Sequence, residues 1–316
     1  MELFFNNGTL ISEQEWHAKI TALRSEVEEK IQEDRTKGRT YEQLKEELKT
    51  NIFKAIQQRI PAEPFGIFFS GGLDSTTIAF ICKLLEKEFT CYNVGFKEGM
   101  MQDAPDFIEA RKGAEQLEIP LVAKQYGLDE AETIIQEVIA QLPTPATVDA
   151  DYVVKIGVAA VVVAARRIAI ERIFFSGLGS EEIFAGYQRH ERAHNINDEC
   201  WRGLFQMWSR DLVRDCTIAR HLGIDVRTPF LDRDVIVTAL RIDGKRKVRD
   251  GHKKVVLREI AEELGLSREQ AWRKKMGAQY GSRFDTALEK LAKKYAHSYK
   301  RDYLATTITT TQKQSY

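Results

Sequence analysis

The sequence predicts an α/β protein built on a parallel sheet. Short apolar runs alternate with helix-patterned stretches over residues 65–190, and a glycine-rich turn stands between the first such run and a helix. Composition agrees: 316 residues, 43% hydrophobic and 30% charged, are those of an ordinary globular chain of one large domain or two intimate ones. The 47 basic and 47 acidic residues cancel, which argues against a broad electrostatic surface for nucleic acid or acidic membrane. Met1–Phe5 has no basic region leading into a long apolar stretch, so no signal peptide is expected. The longest apolar run, Gly157 to Ala165, closes at Arg166 and Arg167, well short of the roughly 20 residues of a membrane span. Cys82, Cys91, Cys200 and Cys216 form no close pair, so they read as reduced core residues of a cytoplasmic protein.

Residues 12–60 are charged and helical in pattern. Ser12-x-x-Glu15 and Thr40-x-x-Gln43 are capping boxes, Gly38 divides the stretch in two, and Ile52, Phe53, Ile56 and Ile60 form an apolar stripe. These helices read as scaffold rather than a docking surface. Past Pro61 and Pro64, Gly66–Phe69 fits a buried strand. The turn Ser70-Gly71-Gly72-Leu73-Asp74-Ser75 and a helix over Thr76–Lys87 follow. Phe89–Phe96 is the second strand, Lys97–Gln102 a polar loop, Ala104–Leu117 a helix, Pro120–Lys124 the third strand and Leu128–Leu142 a helix. Pro143 and Pro145 turn the chain into a long helix over Asp149–Ile170, and Arg172–Phe175 is the fourth strand. Beyond Tyr187 the strand signal fades: residues 190–298 read as mainly helical, and Thr306–Tyr316 as a frayed tail. The expected organisation is an N-terminal helical segment (1–60), a domain over 61–300 with its sheet in 61–190, and a tail (301–316). There is no internal repeat.

Sheets of this kind bind ligands beyond the carboxyl ends of their strands, where strand order reverses. Ser70–Ser75 lies at such an end. Its glycines allow close backbone approach, and the following helix adds a partial positive end, which together make an anion site. Ser70 and Ser75 can donate hydroxyls to phosphate. Asp74 would repel phosphate, and makes sense if it holds a divalent cation that bridges the phosphates. The turn has neither Walker Gly-Lys-Ser/Thr nor GxGxxG spacing. His190 and His194 stand at i, i+4 without a third ligand and read as a surface helix face.

Ser70–Ser75 resembles the PP-loop of the ATP pyrophosphatases, which cleave ATP between the α and β phosphates. Four further segments narrow the resemblance to the asparagine synthetase and β-lactam synthetase group: Ser176-Gly177-Leu178-Gly179-Ser180-Glu181-Glu182-Ile183-Phe184-Ala185-Gly186-Tyr187; Arg227-Thr228-Pro229-Phe230-Leu231-Asp232; Lys254 with Leu257-Arg258-Glu259; and Arg273-Lys274-Lys275. Their order is the family's, over roughly residues 50–285. The resemblance implies an adenine-nucleotide α-hydrolase-like core binding ATP and Mg2+, with Ser70, Gly71, Gly72, Leu73, Asp74, Ser75, Ser176, Gly177 and Asp232 at the nucleotide. It places Phe69 and Val94 along the adenine, Asp74 and Glu181 on magnesium, and Lys275 and Lys254 as catalytic contacts to the phosphates and the developing intermediate.

Three departures qualify it. Asparagine synthetases carry glutamate where this chain has Leu178. The stretch after Pro145 lacks their Thr- and Ser-rich pattern and is apolar from Val153 to Val163, which puts aspartate as substrate in doubt. Glu2 stands where glutamine-hydrolysing members have a nucleophilic cysteine, and nothing of their glutaminase domain fits before Ser70, so ammonia would come free or from a partner glutaminase subunit. The expected activity is an AMP- and pyrophosphate-forming amide ligase that adenylates a carboxylate for attack by ammonia or an amine. The alternatives are an ATP- or AMP-binding subunit without turnover and a PP-loop enzyme modifying tRNA. The oligomeric state is left open, a homo-oligomer included.

Overall fold

A computed structural model describes residues 2–6, 9–273 and 277–314. A short antiparallel hairpin of β1 (Phe5–Asn6) and β2 (Thr9–Leu10) precedes two long helices, α1 (Glu13–Thr36) and α2 (Tyr41–Gln57). Both helices open on capping boxes: the Ser12 and Thr40 hydroxyls accept the amides of Glu15 and Gln43, whose side chains accept the cap amides in return. Helix α1 buries Trp16, Ile20, Leu23 and Val27, and α2 buries Leu44, Leu48, Ile52 and Ile56. Spacings of three and four residues put each set on one face, against the body of the molecule. Trp16 Nε1 also donates to the Leu204 carbonyl at 2.8 Å.

The α/β core follows: β3 (Phe65–Phe68), α3 (Leu73–Leu84), β4 (Phe89–Phe96), α4 (Pro105–Leu117), β5 (Leu121–Tyr126), α5 (Leu128–Gln141), α6 (Ala150–Arg166) and β6 (Ile173–Phe175). The chain then runs through α7 (Ser180–Ile183), α8 (Gln188–Glu191), α9 (Ile196–Met207), a π-helical turn (Trp208–Leu212) and α10 (Val213–Leu222) to β7 (Asp225–Arg227). Helices α11 (Arg233–Arg241), α12 (Val255–Leu264), α13 (Arg268–Ala271), α14 (Ala278–Gly281), α15 (Phe284–Lys294) and α16 (Lys300–Gln314) complete it.

All five core strands are parallel, in the order β5-β4-β3-β6-β7. The chain builds outward from β3 through β4 to β5, then returns by α5 and α6 to the other side of β3. Strand order therefore reverses between β3 and β6, and the turns that leave these two strands flank the crevice where such sheets take ligands. Alternation along the strands splits the apolar core. Ile67, Phe69 and Cys91 join the cluster that includes α2, α3 and α11, while Tyr92, Val94 and Phe96 join the one that includes α5, α6 and α15. All four cysteines are free and buried.

Four elements differ from the sequence expectation. Helix α3 runs over Leu73–Leu84 rather than Thr76–Lys87, so Asp74 and Ser75 lie in its first turn. Strand β7 lies inside a stretch read as helical; its three residues, two of them charged, give no apolar run, and only pairing with β6 makes them a strand. The expected frayed tail is the helix α16. Tyr303, Leu304 and Ile308 anchor it, and the hydroxyls of Thr306, Thr307, Thr309 and Thr310 donate to carbonyls one turn back. Helix α6 ends at Arg166 rather than continuing to Ile170.

Candidate active site

The turn after β3 and the turn after β6 meet at the reversal of strand order. Gly71 takes a left-handed φ of +65°, and α3 begins at Leu73 with Gly72 as a cap that makes no side-chain bond. The positive end of α3 thus faces the crevice. Within the turn, Ser75 Oγ donates to the Gly72 carbonyl at 3.2 Å, and the Gly72 amide donates to Ser70 Oγ at 3.3 Å.

Asp74, buried in the first turn of α3, reaches across to the other loop. Its Oδ1 accepts Ser180 Oγ at 2.6 Å. Lys254 Nζ donates to Asp74 Oδ2 at 2.8 Å, to Glu181 Oε1 at 2.8 Å and to Ser180 Oγ at 3.2 Å. Three side chains from two chain segments therefore converge on the Lys254 ammonium. Two glycines make room for them: a Cβ on Gly177 would come 2.8 Å from Asp74 Cβ, and one on Gly186 would come 1.8 Å from Glu181 Oε2 and 2.4 Å from Lys254 Cε. Burial by itself lowers the Lys254 pKa, but the charges of Asp74 and Glu181 outweigh it and hold the ammonium above the ordinary lysine value.

Lys254 is also strained. It is the cap of α12 and has a φ of +57°, a conformation that costs a non-glycine residue on the order of 1 kcal/mol. One turn on, Arg258 braces it. Arg258 Nε donates to the Lys253 carbonyl at 2.7 Å, and its Nη1 donates to the carbonyls of Ala271 at 2.6 Å and Arg273 at 3.0 Å. The segment so held leads to Lys275, which lies outside the described residues.

Around the cluster opens a cleft of about 600 Å³, lined by Leu73, Asp74, Glu181, Lys254, one face of α6, the π-helical turn and the start of α14. Beside it lies a buried charged network that sequence reasoning missed. Glu182 accepts Tyr187 Oη at 2.8 Å and is paired with Arg210, while Arg214 pairs with Asp215 at 2.6 Å and Asp211 at 3.3 Å. Burial first, then the Asp211 charge, push the Glu182 carboxyl up to about 7. Glu182 and Tyr187 lie within a recognisable motif, but nothing marks Arg210 or Asp211, which reach the cleft through the π turn.

Ser176 and Gly177 lie in the loop after β6, Ser176 Oγ accepting the Leu178 amide at 3.3 Å. Of the residues expected at the nucleotide, Leu73 and Asp74 line the cleft; Ser70, Gly71, Gly72, Ser75, Ser176 and Gly177 lie outside its lining, as do Phe69 and Val94, which are buried in the two different apolar clusters. Asp232 does not line it either: it caps α11 through the Asp234 amide at 3.0 Å and pairs with Arg59 at 2.9 Å. His190 is no surface residue. It is fully buried, its Nδ1 accepts the Tyr187 amide at 3.0 Å, and burial lowers its pKa to about 4.

Asp74 and Glu181 present hard oxygens around a single point, a donor set that suits a Mg2+ ion sharing phosphate oxygens and water. Lys254 Nζ stands at that point, so a metal there would share or displace its place. Among the described residues no group of three or more His, Cys, Asp or Glu could hold a metal ion.

A parallel sheet with an anion-cradling first turn, facing acids and a buried lysine at the strand-order reversal, defines an ATP-binding PP-loop domain. The asparagine synthase family model matches residues 47–202 and 190–312, and the chain belongs to that family. A Methanocaldococcus jannaschii protein, named provisionally as glutamine-hydrolysing asparagine synthetase 1, is 29% identical over 316 residues, covering 86% of this chain and 56% of that protein. Human glutamine-hydrolysing asparagine synthetase is 29% identical over 75% of this chain and 43% of its own length. The asparagine synthetase domain-containing protein YML096W of Saccharomyces cerevisiae is 28% identical over 77% of this chain and 52% of its own length. The chain thus spans about half the length of the curated relatives it matches. A solved Methanocaldococcus jannaschii structure, described as a predicted subunit of tRNA methyltransferase, aligns at 19% identity over 66% of this chain and 91% of that one, with a TM-score of 0.24, too low to argue from.

Proposed function

We propose that the protein is an AMP- and pyrophosphate-forming amide ligase: it adenylates a carboxylate with ATP, and ammonia or an amine then displaces AMP. The observation that carries this reading is the convergence of Asp74, Ser180 and Glu181 on Lys254 at the reversal of strand order. A carboxylate oxygen attacks the α-phosphorus and the bond to the pyrophosphate oxygen breaks, so negative charge builds on both fragments. Fixed positive groups that meet this charge lower the barrier. The turn Ser70–Ser75 and the positive end of α3 would hold the phosphates, and Lys254, already charged and buried, would follow the departing pyrophosphate. Lys275, which follows the Arg258-braced segment in sequence and lies outside the described residues, is assigned the same work. Asp74 and Glu181 would hold Mg2+, which when bound offsets the charge of the phosphates. Ser176 and Gly177 line the nucleotide side of the loop after β6.

The retained acids and the strained lysine support turnover over simple nucleotide binding, since strain of this kind persists where a function requires it. Balanced charge supports a small-molecule substrate over tRNA. The experiment is acid-dependent exchange of labelled pyrophosphate into ATP, with product analysis. Exchange with AMP as product is expected; ADP and phosphate as products would overturn the reading.

A further inference from the structure

Helix α6 gives the cleft a second wall. Asp151, Val154, Lys155 and Val158 line it at i, i+3, i+4 and i+7, which is one helical face. The two valines are half-buried. Lys155 Nζ donates to the Ser209 carbonyl of the π-helical turn at 2.9 Å, so the two walls are joined at this ammonium. The other cleft cations are mostly neutralised: Arg189, Arg210, Arg214, Lys253, Lys254 and Arg273 each have a carboxylate within 4 Å. Among the described residues Lys155 has only that carbonyl as a hydrogen-bond partner and no carboxylate at ion-pair distance; Arg258, the other such cation, gives its bonds to the carbonyls of Lys253, Ala271 and Arg273.

We propose that this wall is the acyl pocket and that it selects an acid with an apolar body, its carboxylate on Lys155 and its hydrocarbon against Val154 and Val158. The proposal rests on the adenylation reading and names its substrate class. A small dicarboxylate fits the wall badly. Along this wall its second carboxylate would face valines, which offer no donor, or Asp151, which repels it, and Arg189, Arg210, Arg214 and Arg273 elsewhere in the cleft already hold carboxylates. Each methylene buried against the valines strengthens binding about fourfold. The joint with the π turn is the second mark of a built site, because such turns recur where a fold departs from regularity for function.

The test is calorimetric titration of the full chain with 4-methylpentanoate, 3-phenylpropionate, leucine and phenylalanine against succinate, aspartate and glutamate, with and without α,β-methylene ATP. The apolar acids should bind at least tenfold more tightly than the dicarboxylates. Lys155→Met should weaken them at least tenfold while nucleotide affinity holds, Lys155→Arg should restore them, and Val158→Thr should narrow the discrimination about fourfold. Tighter binding of the dicarboxylates, no acid binding in either condition, or variants that bind like wild type would overturn the pocket. Acid binding with no affinity for the nucleotide analogue would instead sink the adenylation reading and leave the pocket standing.

Discussion

Replacing Lys254 with methionine isolates the charge at the centre of the cleft. Nζ lies 2.8 Å from Asp74 Oδ2 and 2.8 Å from Glu181 Oε1. At an effective dielectric constant of about 20, each attraction amounts to about 6 kcal/mol before desolvation. Desolvation offsets much of this, and removing one partner of a buried pair costs about 3–5 kcal/mol. Methionine keeps the unbranched stem and lacks only the terminal ammonium, so the loss is chiefly electrostatic: two carboxylates face each other with the Ser180 hydroxyl between them. Urea unfolding of wild type, Lys254→Met, Glu181→Gln and the double variant, each with and without millimolar MgCl2, measures the coupling. Lys254→Met should lose about 3 kcal/mol, and adding Glu181→Gln should recover at least 1 kcal/mol of it. Magnesium should raise the midpoint of Lys254→Met more than that of wild type, because a divalent ion can take the vacated place. Additive effects of the two substitutions, with no magnesium dependence, would refute the reasoning.

The same cluster should fail if its space is taken. Gly186→Ala puts a methyl 1.8 Å from Glu181 Oε2, so pyrophosphate exchange should fall at least tenfold with a stability loss of about 1–3 kcal/mol, and wild-type exchange would contradict the packing. Glu182 gives a pH signature. Its carboxyl is near 7 in the fold against an ordinary value of 4.5, so the folded chain holds a proton that the unfolded chain has released. Its contribution is full below pH 4.5 and is lost as pH rises through about 7, reaching on the order of 3 kcal/mol by pH 8. Glu182→Gln should therefore flatten the urea midpoint between pH 5 and 8, and an unchanged slope would count against it. Asp232→Asn keeps the α11 cap and loses the Arg59 pair, so stability should drop by about 1–2 kcal/mol with ATP affinity unchanged in equilibrium dialysis. A tenfold loss of ATP affinity would return Asp232 to the nucleotide site.

Sequence alone carried the sheet core and the loop pair because their signals are local. The run Gly66–Phe69, the turn Ser70–Ser75 and the segment Ser176–Tyr187 each announce a strand end or a helix start within a dozen residues. Asp74, Glu181 and Lys254 were also legible, but only as separate phosphate or metal contacts. That they share hydrogen bonds depends on the reversal of strand order, which brings positions 74 and 181 together, and on the packing of α12 against α3, which adds position 254; neither leaves a trace in spacing. Strand β7 was illegible for the same reason, since a strand distant in sequence makes it, and the π-helical turn because its i→i+5 bonding carries no distinct residue pattern. Phe69 and Val94 were legible as strand residues, and strand alternation puts them in different apolar clusters, a consequence of period two.

Leu178 stands where asparagine synthetases carry glutamate, and its surroundings separate that loss from the rest of the site. Its side chain packs against the apolar core and lines a different cavity of about 400 Å³, shared with Phe4, Phe5 and Leu212. Glu2, Asp215 and Asp225 line the same cavity and would repel a glutamate here; of its two arginines, Arg220 and Arg227, the second is already paired with Asp225 at 2.6 Å. None of the bonds among Asp74, Ser180, Glu181 and Lys254 passes through residue 178. The second departure, the apolar face of α6, leaves them equally untouched. A chain that had ceased to react with ATP would gain by relaxing Lys254 out of its left-handed backbone and replacing the buried Asp74 and half-buried Glu181. This chain keeps all three charges, with a glutamate at 181 where the family usually has aspartate, and changes the wall beside them, the pattern expected when the acid has changed and the nucleotide chemistry has not.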